Sequence, residues 1–470
     1  MITKKEVPPF GIKDKIGYLF GDFGNDFTFI LSSSFLLKFY TDVMHVSAGV
    51  VGIVMMLARF VDAFTDVTMG RICDRARPTP AGKFKPWILR MCAPVAIASF
   101  LIYQSAFATA SLGFRIFWLV VTYILWGSIF YTSINIPYGS MASTISREPG
   151  ERQSLSTFRT MGSTLAGVVV GAGVPLVAYD TRIIDGVEIA EMNGQRFTLI
   201  AGVFSVLAII SYLICYVLVS ERVIPEPVEK EKSGSIKRLI VSAATNRALI
   251  SIIVASILML LSQFTLQQMA NYVYPDYYAN TAAQSASTIA MMGGMVVAAI
   301  LARPLSERFG KAEISVFSNL LAAVICIVLF LVRPQNVWVY VLVNVFSWLG
   351  LGVFAMVSWA LITDVIDYSE IKNGVREDGS IYALYSFARK IGQAAAAGLT
   401  GLFLTLIGYE KIEGAPLSEA VKEGIFNIST IIPAIGFILL STVLWFWYPL
   451  HKREVDKNVQ ILKEKHASDG

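Results

Sequence analysis

The feature that most constrains this chain is a series of twelve long apolar runs. They fall at roughly 17–40, 46–70, 86–108, 112–142, 159–180 and 196–220, then at 247–275, 284–304, 312–333, 337–363, 380–408 and 425–449. A bilayer span takes about 20 consecutive apolar residues, so twelve spans account for about half of the chain and leave short connections. Composition agrees: only 16% of residues are charged and 55% are hydrophobic, whereas soluble domains carry about 25% charged residues. These values exclude a soluble enzyme and a disordered or fibrous chain. The net charge of +5 comes with no basic stripe, so nucleic acid is not an expected partner. Lipid cannot hydrogen-bond a backbone, and runs of this length satisfy their own as helices. The expected class is an all-α membrane protein with the bilayer as its first partner.

The chain divides in the middle. A polar stretch from Glu221 to Asn246, with Pro225 and Pro227, separates six runs from six. The expected organisation is a six-helix bundle over 1–221, a cytoplasmic linker over 222–246, and a second six-helix bundle over 247–470 with a short tail. The tails and the even-to-odd loops hold 28 of the 39 Lys and Arg. The opposite loops hold seven: Lys38, Arg115, Arg182, Arg196, Arg333, Lys411 and Lys422. The positive-inside bias then puts both termini in the cytoplasm; the expected location is a bacterial inner membrane. The first run is longer than a signal-peptide core and lacks a small-residue cleavage site, so it reads as a retained span. Cys73, Cys92, Cys215 and Cys326 have no metal or disulfide spacing and read as buried small hydrophobes.

The halves echo each other. Asp74-Arg75 followed by Gly82-Lys83 after span 2 is matched after span 8 by Glu307-Arg308 followed by Gly310-Lys311. A duplicated unit with substrate near the midplane is a common transporter plan. The loop motif resembles that of the major facilitator superfamily, which implies that Asp74, Arg75, Glu307 and Arg308 clamp cytoplasmic helix ends and act in gating. Between spans 10 and 11, Asp364, Asp367 and Arg376 read as a further gate latch at the cytoplasmic surface.

Charges also occur where lipid would penalise them. Asp22 and Asp26 lie in span 1, Arg59, Asp62 and Asp66 in span 2, Arg159 at the start of span 5, and Arg389 and Lys390 in span 11. Facing lipid unpaired, such a set would cost about 20 kcal/mol. The groups must pair, face an interior or line a wet cavity, either as helix locks or as a pathway. Asp62 and Asp66 are four apart, as are Asp22 and Asp26, so each pair shares a helix face. Two close carboxylates resist ionising together, and either a proton or a small hard cation such as Na⁺ relieves the conflict. Arg59 either balances these acids or acts directly. Span 4 ends in Trp126-Gly127-Ser128-Ile129-Phe130-Tyr131-Thr132-Ser133-Ile134-Asn135-Ile136-Pro137-Tyr138-Gly139. Aromatic faces such as Tyr131 stack on sugar rings, and the Asn135 amide can take sugar hydroxyls.

Together these residues resemble the glycoside–pentoside–hexuronide:cation symporter family. The anchors are Gly21 to Asp26, Tyr40-Thr41-Asp42, Ala58 to Asp66, Gly82 to Trp87, Asn135 to Tyr138 and Asp364 to Gly379. The resemblance implies a major facilitator fold that works as a monomer without a cofactor, and sugar uptake driven by Na⁺ or H⁺. It implies that Asp62 and Asp66 hold the cation with help from Thr132, and that Asp26, Asn135, Arg159 and Lys390 line the sugar site, beside Asp22 and Tyr131. Members that carry melibiose have an Asp where this chain has Asn135, a Trp at Gly139 and a Lys at Asn25. The stretch from Arg376 through Ser386 to Gln393, and the close at Tyr448-Pro449-Leu450, are similar to glucuronide carriers. Asn135 in place of an acid also lessens repulsion of a sugar carboxylate, which Arg159 or Lys390 could bind. The expected substrate is therefore a β-glucuronide or another hexuronide, with a neutral glycoside or pentoside as the alternative. A multi-span enzyme is disfavoured because His45, His451 and His466 all lie in loops or tails. A sugar sensor is disfavoured by the short tail, and a lysolipid carrier by the polar interior.

Overall fold

The structure, a computed structural model, describes residues 8–184, 187–223, 246–373, 378–412 and 414–468. Each apolar run is a helix. The first six are α1 (Ile12–Asp42), α2 (Ala48–Arg75), α3 (Lys85–Ile102), α4 (Leu112–Ile145), α5 (Pro149–Val177) and α6 (Gly194–Leu218). The next six are α7 (Arg247–Tyr277), α8 (Thr281–Phe309), α9 (Lys311–Val332), α10 (Val337–Asn373), α11 (Asp378–Leu406) and α12 (Glu419–Trp447). A polar helix, α13 (Lys452–Ser468), follows. Among the described residues, ten helices are apolar and long enough to cross a membrane. Of the twelve, α1 and α11 fall outside that set. In α1 the cause is plain, since Asp14, Asp22, Asp26, Lys38 and Asp42 are all buried along it. Phe64, Leu199, Ile300, Leu331 and Phe446 are among the large apolar side chains left exposed, a surface that suits lipid and would be a liability in water.

The chain forms two compact units. One comprises Met1–Val228 with Gly408–Leu417, and the other Glu229–Ile407 with Ser418–Gly470. In the first unit α1 packs on α5 and α6, α3 on α4 and α6, and α2 on α4. In the second, α7 packs on α11 and α12, α9 on α10 and α12, and α8 on α10. The pairing is the same with every number advanced by six, so the echo in the loops reflects a repeated bundle. The shared Gly-Lys has a backbone reason: Gly82 and Gly310 sit at φ +122° and +103°, where a side chain would be strained. Helix approach relies on glycine as well. A Cβ on Gly162 of α5 would stand 2.3 Å from the Leu19 carbonyl oxygen of α1, so only glycine lets these backbones meet. Asn193, Asn246 and Asn280 cap α6, α7 and α8 by accepting from backbone N–H groups at 3.0, 3.1 and 2.8 Å, which satisfies donors that helix starts leave open.

Two segments depart from the sequence-based expectation. Residues read as a loop after span 5 form an antiparallel hairpin, β1 (Tyr179–Ile184) and β2 (Val187–Met192), with Tyr179 opposite Met192 and Ile184 opposite Val187. Lys38, read as a loop cation, lies inside α1 with none of its side chain exposed. Its ammonium is 2.8 Å from Asp42 and donates to the Tyr409 hydroxyl at 2.8 Å. That hydroxyl in turn donates to Asp42 at 2.8 Å. Tyr409 stands on the connection between α11 and α12, which groups with the first unit. Lys411 on the same connection is also buried and donates to the Ala190 carbonyl of β2 at 3.4 Å. The expected linker over 224–245 lies outside the described residues.

Candidate functional site

The carboxylates of α2 meet a matching pair on α4. Ser128 donates to Asp62 Oδ1 at 2.5 Å, and Thr132 donates to Asp66 Oδ1 at 2.9 Å. Both pairs are four residues apart, so one face of α2 reads one face of α4. The alignment occurs where α4 loosens into a π-helical segment, Leu125–Tyr131. Such bulges free backbone carbonyls from the regular ladder, and Thr132 Oγ1 also lies 3.2 Å from the Gly127 carbonyl. Carboxylate, hydroxyl and carbonyl oxygens therefore converge, which is the ligand set a hard monovalent cation takes. Arg59 pairs with Asp62 at 3.3 Å, with its guanidinium 5.3 Å from the Phe29 ring centre. This pairing is of the kind that would balance one of the acids.

A second cluster joins α1 to α4, α5 and α6. Arg159 on α5 reaches Asp22 on α1 at 3.0 Å, and its side chain stays 40% exposed while that of Asp22 is 10% exposed. The same guanidinium sits 5.3 Å from the Tyr138 ring centre, and Tyr138 stacks on Tyr18 at 4.6 Å. Asn135 is half-buried and accepts from the Asn25 amide at 3.4 Å. Asn25 is in turn held by the Tyr212 hydroxyl of α6 at 2.9 Å. Asp26 is buried next to Ser163 of α5. Tyr131 lies between Phe29 and Trp126, with ring centres 5.7 and 5.5 Å away. The first unit thus brings Asp22, Arg159 and Tyr138 into one cluster and draws Asn135 to α1 through Asn25. Lys390 lies on α11 of the second unit and is half-buried. Its neighbour Arg389 stacks over Trp359 and Tyr385, at 5.4 and 5.8 Å.

The residues expected to act in gating behave unevenly. Asp74 and Arg75 are exposed, and the contact made there is from Lys83 Nζ to the Asp74 carbonyl at 3.1 Å. Glu307 pairs with Arg303, one turn back, at 2.9 Å. Arg308 instead covers the Phe309 ring and lends its carbonyl to Lys452 Nζ at 2.6 Å. Asp364 corrects its surface reading: it is buried within α10 and bound to Lys311 at 2.6 Å. Lys311 is the lysine of the repeated Gly-Lys, so in the second unit the motif anchors a helix interior. Asp367 is half-buried one turn on, and Arg376 lies outside the described residues. Sequence reasoning missed the principal clamp of the first unit. Glu221, just past α6, accepts from the backbone N–H groups of Lys83, Phe84 and Lys85 at 2.9, 2.9 and 2.6 Å. A carboxylate there satisfies the open donors and opposes the positive end of α3. It also missed Ser128, Asn25 and Tyr212. Only Ser128 carried a signal, its spacing of four from Thr132.

Residues 17–452 match the family model described as MFS/sugar transport protein. The chain belongs to that family. Among its curated relatives, the glucuronide carrier protein homolog of Escherichia coli K12 is 30% identical over 437 residues, covering 93% of this chain and 92% of that one. The isoprimeverose transporter of Lactiplantibacillus pentosus is 29% identical over 471 residues, covering 100% and 94%. Among solved structures, a bacterial homologue of the human lysosomal transporter Spinster superposes with TM-score 0.67 at 12% identity, covering 96% of this chain and 99% of that one. The fold is therefore the major facilitator fold, with twelve membrane helices in two six-helix bundles. The protein is a multi-pass membrane protein of a sugar-symporter family, and its relatives are transporters.

Proposed function

We propose that this protein imports an anionic glycoside, a β-glucuronide or related hexuronide, together with Na⁺ or H⁺. The observation that carries the sugar assignment is Arg159. Its guanidinium is held by Asp22 yet remains 40% exposed, and the neutral Asn135 on α4 stands where an acid would repel a carboxylate. An arginine in this setting offers paired N–H donors to a sugar carboxylate. Asp26 and Tyr131 would take sugar hydroxyls and the ring face, and Lys390 would add a second cation. Asp62 and Asp66, each already hydrogen-bonded to an α4 hydroxyl, would hold the coupling cation with Thr132. Cation binding would favour a sugar-competent state, and the loaded carrier would then rock inward. In this reading the carrier is a monomer in a bacterial inner membrane with both termini in the cytoplasm, and Asp74, Arg75, Glu307, Arg308, Asp364, Asp367 and Arg376 act in gating.

One observation favours a second reading. Asp22 already neutralises Arg159, so a neutral glycoside or pentoside could bind without leaving an uncompensated charge. Ligand-induced thermal stabilisation of the purified carrier separates the two, because a ligand of the native state raises its melting temperature. Methyl β-glucuronide and methyl β-glucoside are compared, each with and without Na⁺. Stabilisation by the glucuronide alone supports the hexuronide reading, and its dependence on Na⁺ names the ion. Stabilisation by the glucoside, or by neither, removes it. For the cation site, Asp62→Asn should abolish gradient-driven accumulation while sparing exchange, and normal accumulation would refute the assignment.

A further inference from the structure

Two cavities adjoin at the hairpin end of the first unit. One, of about 680 Å³, lies among the close of α1, the connection after α3, the hairpin and the start of α6. Asp42, Asp180 and Glu191 line it together with His45, Arg182 and Lys411, so it presents charges of both signs. Asp42 and Lys411 are buried, whereas His45, Thr109 and Arg182 are exposed, so the cavity opens at the surface. Arg182 is 54% exposed and stands 3.6 Å from Glu191, beyond ordinary hydrogen-bond length. Its guanidinium therefore keeps donors for another acceptor. Gly194 and Gln195, in the first turn of α6, also line the cavity, and a helix start favours an anion.

The other, of about 550 Å³, is an apolar trough along α6, lined by Phe100 of α3 with Leu199, Gly202, Val203, Val206 and Leu207. Gly202 shapes it, since a Cβ there would stand 3.3 Å from the Phe100 ring. Leu199, Val203 and Val206 are exposed on a membrane-length helix, so this face meets lipid. Gln195 borders both cavities and joins a charged end to an apolar trough. From Gln195 to Leu207 the helix rises about 18 Å at 1.5 Å per residue. The hydrocarbon of one leaflet is about 15 Å deep. The trough is therefore about one leaflet deep, with its charged end where α6 leaves the membrane.

We propose that the two cavities together bind one phospholipid with a zwitterionic, primary-amine headgroup, of the phosphatidylethanolamine class. One acyl chain lies in the trough, the phosphate meets Arg182 and the start of α6, and the ammonium donates to Asp180 and Glu191. Those acids already pair with Arg196 at 2.7 Å and Arg182 at 3.6 Å, but a carboxylate has about four acceptor sites. A sugar would leave the trough unfilled, and a fatty acyl chain alone would leave the charged end unused. An anionic headgroup would bring a net negative charge beside three carboxylates. A quaternary ammonium has no N–H to donate. The lining includes none of Asp22, Asp62, Asp66, Asn135 and Arg159, so this site stands or falls independently of the sugar and cation assignments.

The test reads the lipid that the full chain retains. Purified protein is reconstituted with equal amounts of phosphatidylethanolamine, phosphatidylcholine and phosphatidylglycerol of one acyl composition, then re-extracted for native mass spectrometry. Phosphatidylethanolamine should be retained about tenfold over either competitor, the worth of one hydrogen bond to a charged group. Equal retention of the three means annular lipid only and overturns the proposal, as does a preference for phosphatidylglycerol. Phosphatidylethanolamine with a diazirine on its acyl chain should label Phe100 or residues 199–207, and labelling confined to other helices overturns the trough. Val203→Trp fills the trough from an exposed position and should remove that labelling. Arg182→Gln should abolish the headgroup preference while the labelling persists. Unchanged labelling in the first variant, or an intact preference in the second, overturns the assigned lining.

Discussion

Replacing Lys38 with methionine should destabilise the first unit by about 3–5 kcal/mol, the usual cost of removing one partner from a buried ion pair. The structure supports that range because the Lys38 and Asp42 side chains are 0% and 3% exposed, with their charges 2.8 Å apart. Methionine keeps the unbranched stem, so little packing is lost, and what disappears is the charge. Asp42 would retain the Tyr409 hydroxyl at 2.8 Å and the Thr41 hydroxyl at 3.0 Å. Those two bonds argue for the lower end, about 3 kcal/mol, or roughly a hundredfold in the folded-to-unfolded ratio. Adding Asp42→Asn removes the stranded charge, and the double variant should return to within about 1.5 kcal/mol of wild type. The assay is reversible unfolding by steric trapping in lipid bicelles. A single variant within about 1 kcal/mol of wild type, or a double variant no better than the single, would refute the reasoning.

Thr132→Val should weaken cation-stimulated sugar binding about tenfold, the worth of one hydrogen bond to a charged group, and Thr132→Ser should keep it; titration of the thermal shift against cation decides. Gly162→Ala should cost about 1–3 kcal/mol by overpacking, because the new methyl would meet the Leu19 backbone at 2.3 Å. Gly173→Ala, on the same helix with nothing within 4 Å, should leave the melting temperature unchanged, and equal shifts for the two would contradict the packing account. Glu221→Ala should cost about 1–3 kcal/mol by stranding the N–H groups of α3 and should speed tryptic cleavage after Lys83. Glu221→Gln should retain most of the protection.

Hydropathy made the twelve helices legible because a bilayer rewards one property over a fixed length. It weakens where that length is spent on polar groups, as in α1. Spacing by four exposed the Asp62–Asp66 face, and the same rule applied to Ser128 and Thr132 would have supplied its partner surface. Lys38 and Asp42 are also four apart, but counting Lys38 toward loop charge hid the pairing. The hairpin carried its own signal in the alternation of Val187-Glu188-Ile189-Ala190-Glu191-Met192 after Asp185-Gly186, a dipeptide that favours tight turns. What no periodicity encodes is contact between distant positions. Glu221 grips residues 136 to 138 positions away, and Tyr409 meets Lys38 across 371. Asp364 was misplaced for the same reason, because its partner Lys311 lies 53 positions back.

The Lys38–Asp42–Tyr409 contact also sets an order of biogenesis. A ribosome makes Lys38 in the first helix and Tyr409 only after α11, so the first bundle is unfinished when its own sixth helix has been inserted. Until the last connection emerges, a lysine destined for a fully enclosed position has the nearby Asp42 but not the hydroxyl that bridges them. The amino-terminal half produced alone would therefore lack a structural piece of itself. Two fragments severed in the linker would have to meet before the amino-terminal one reached its mature packing.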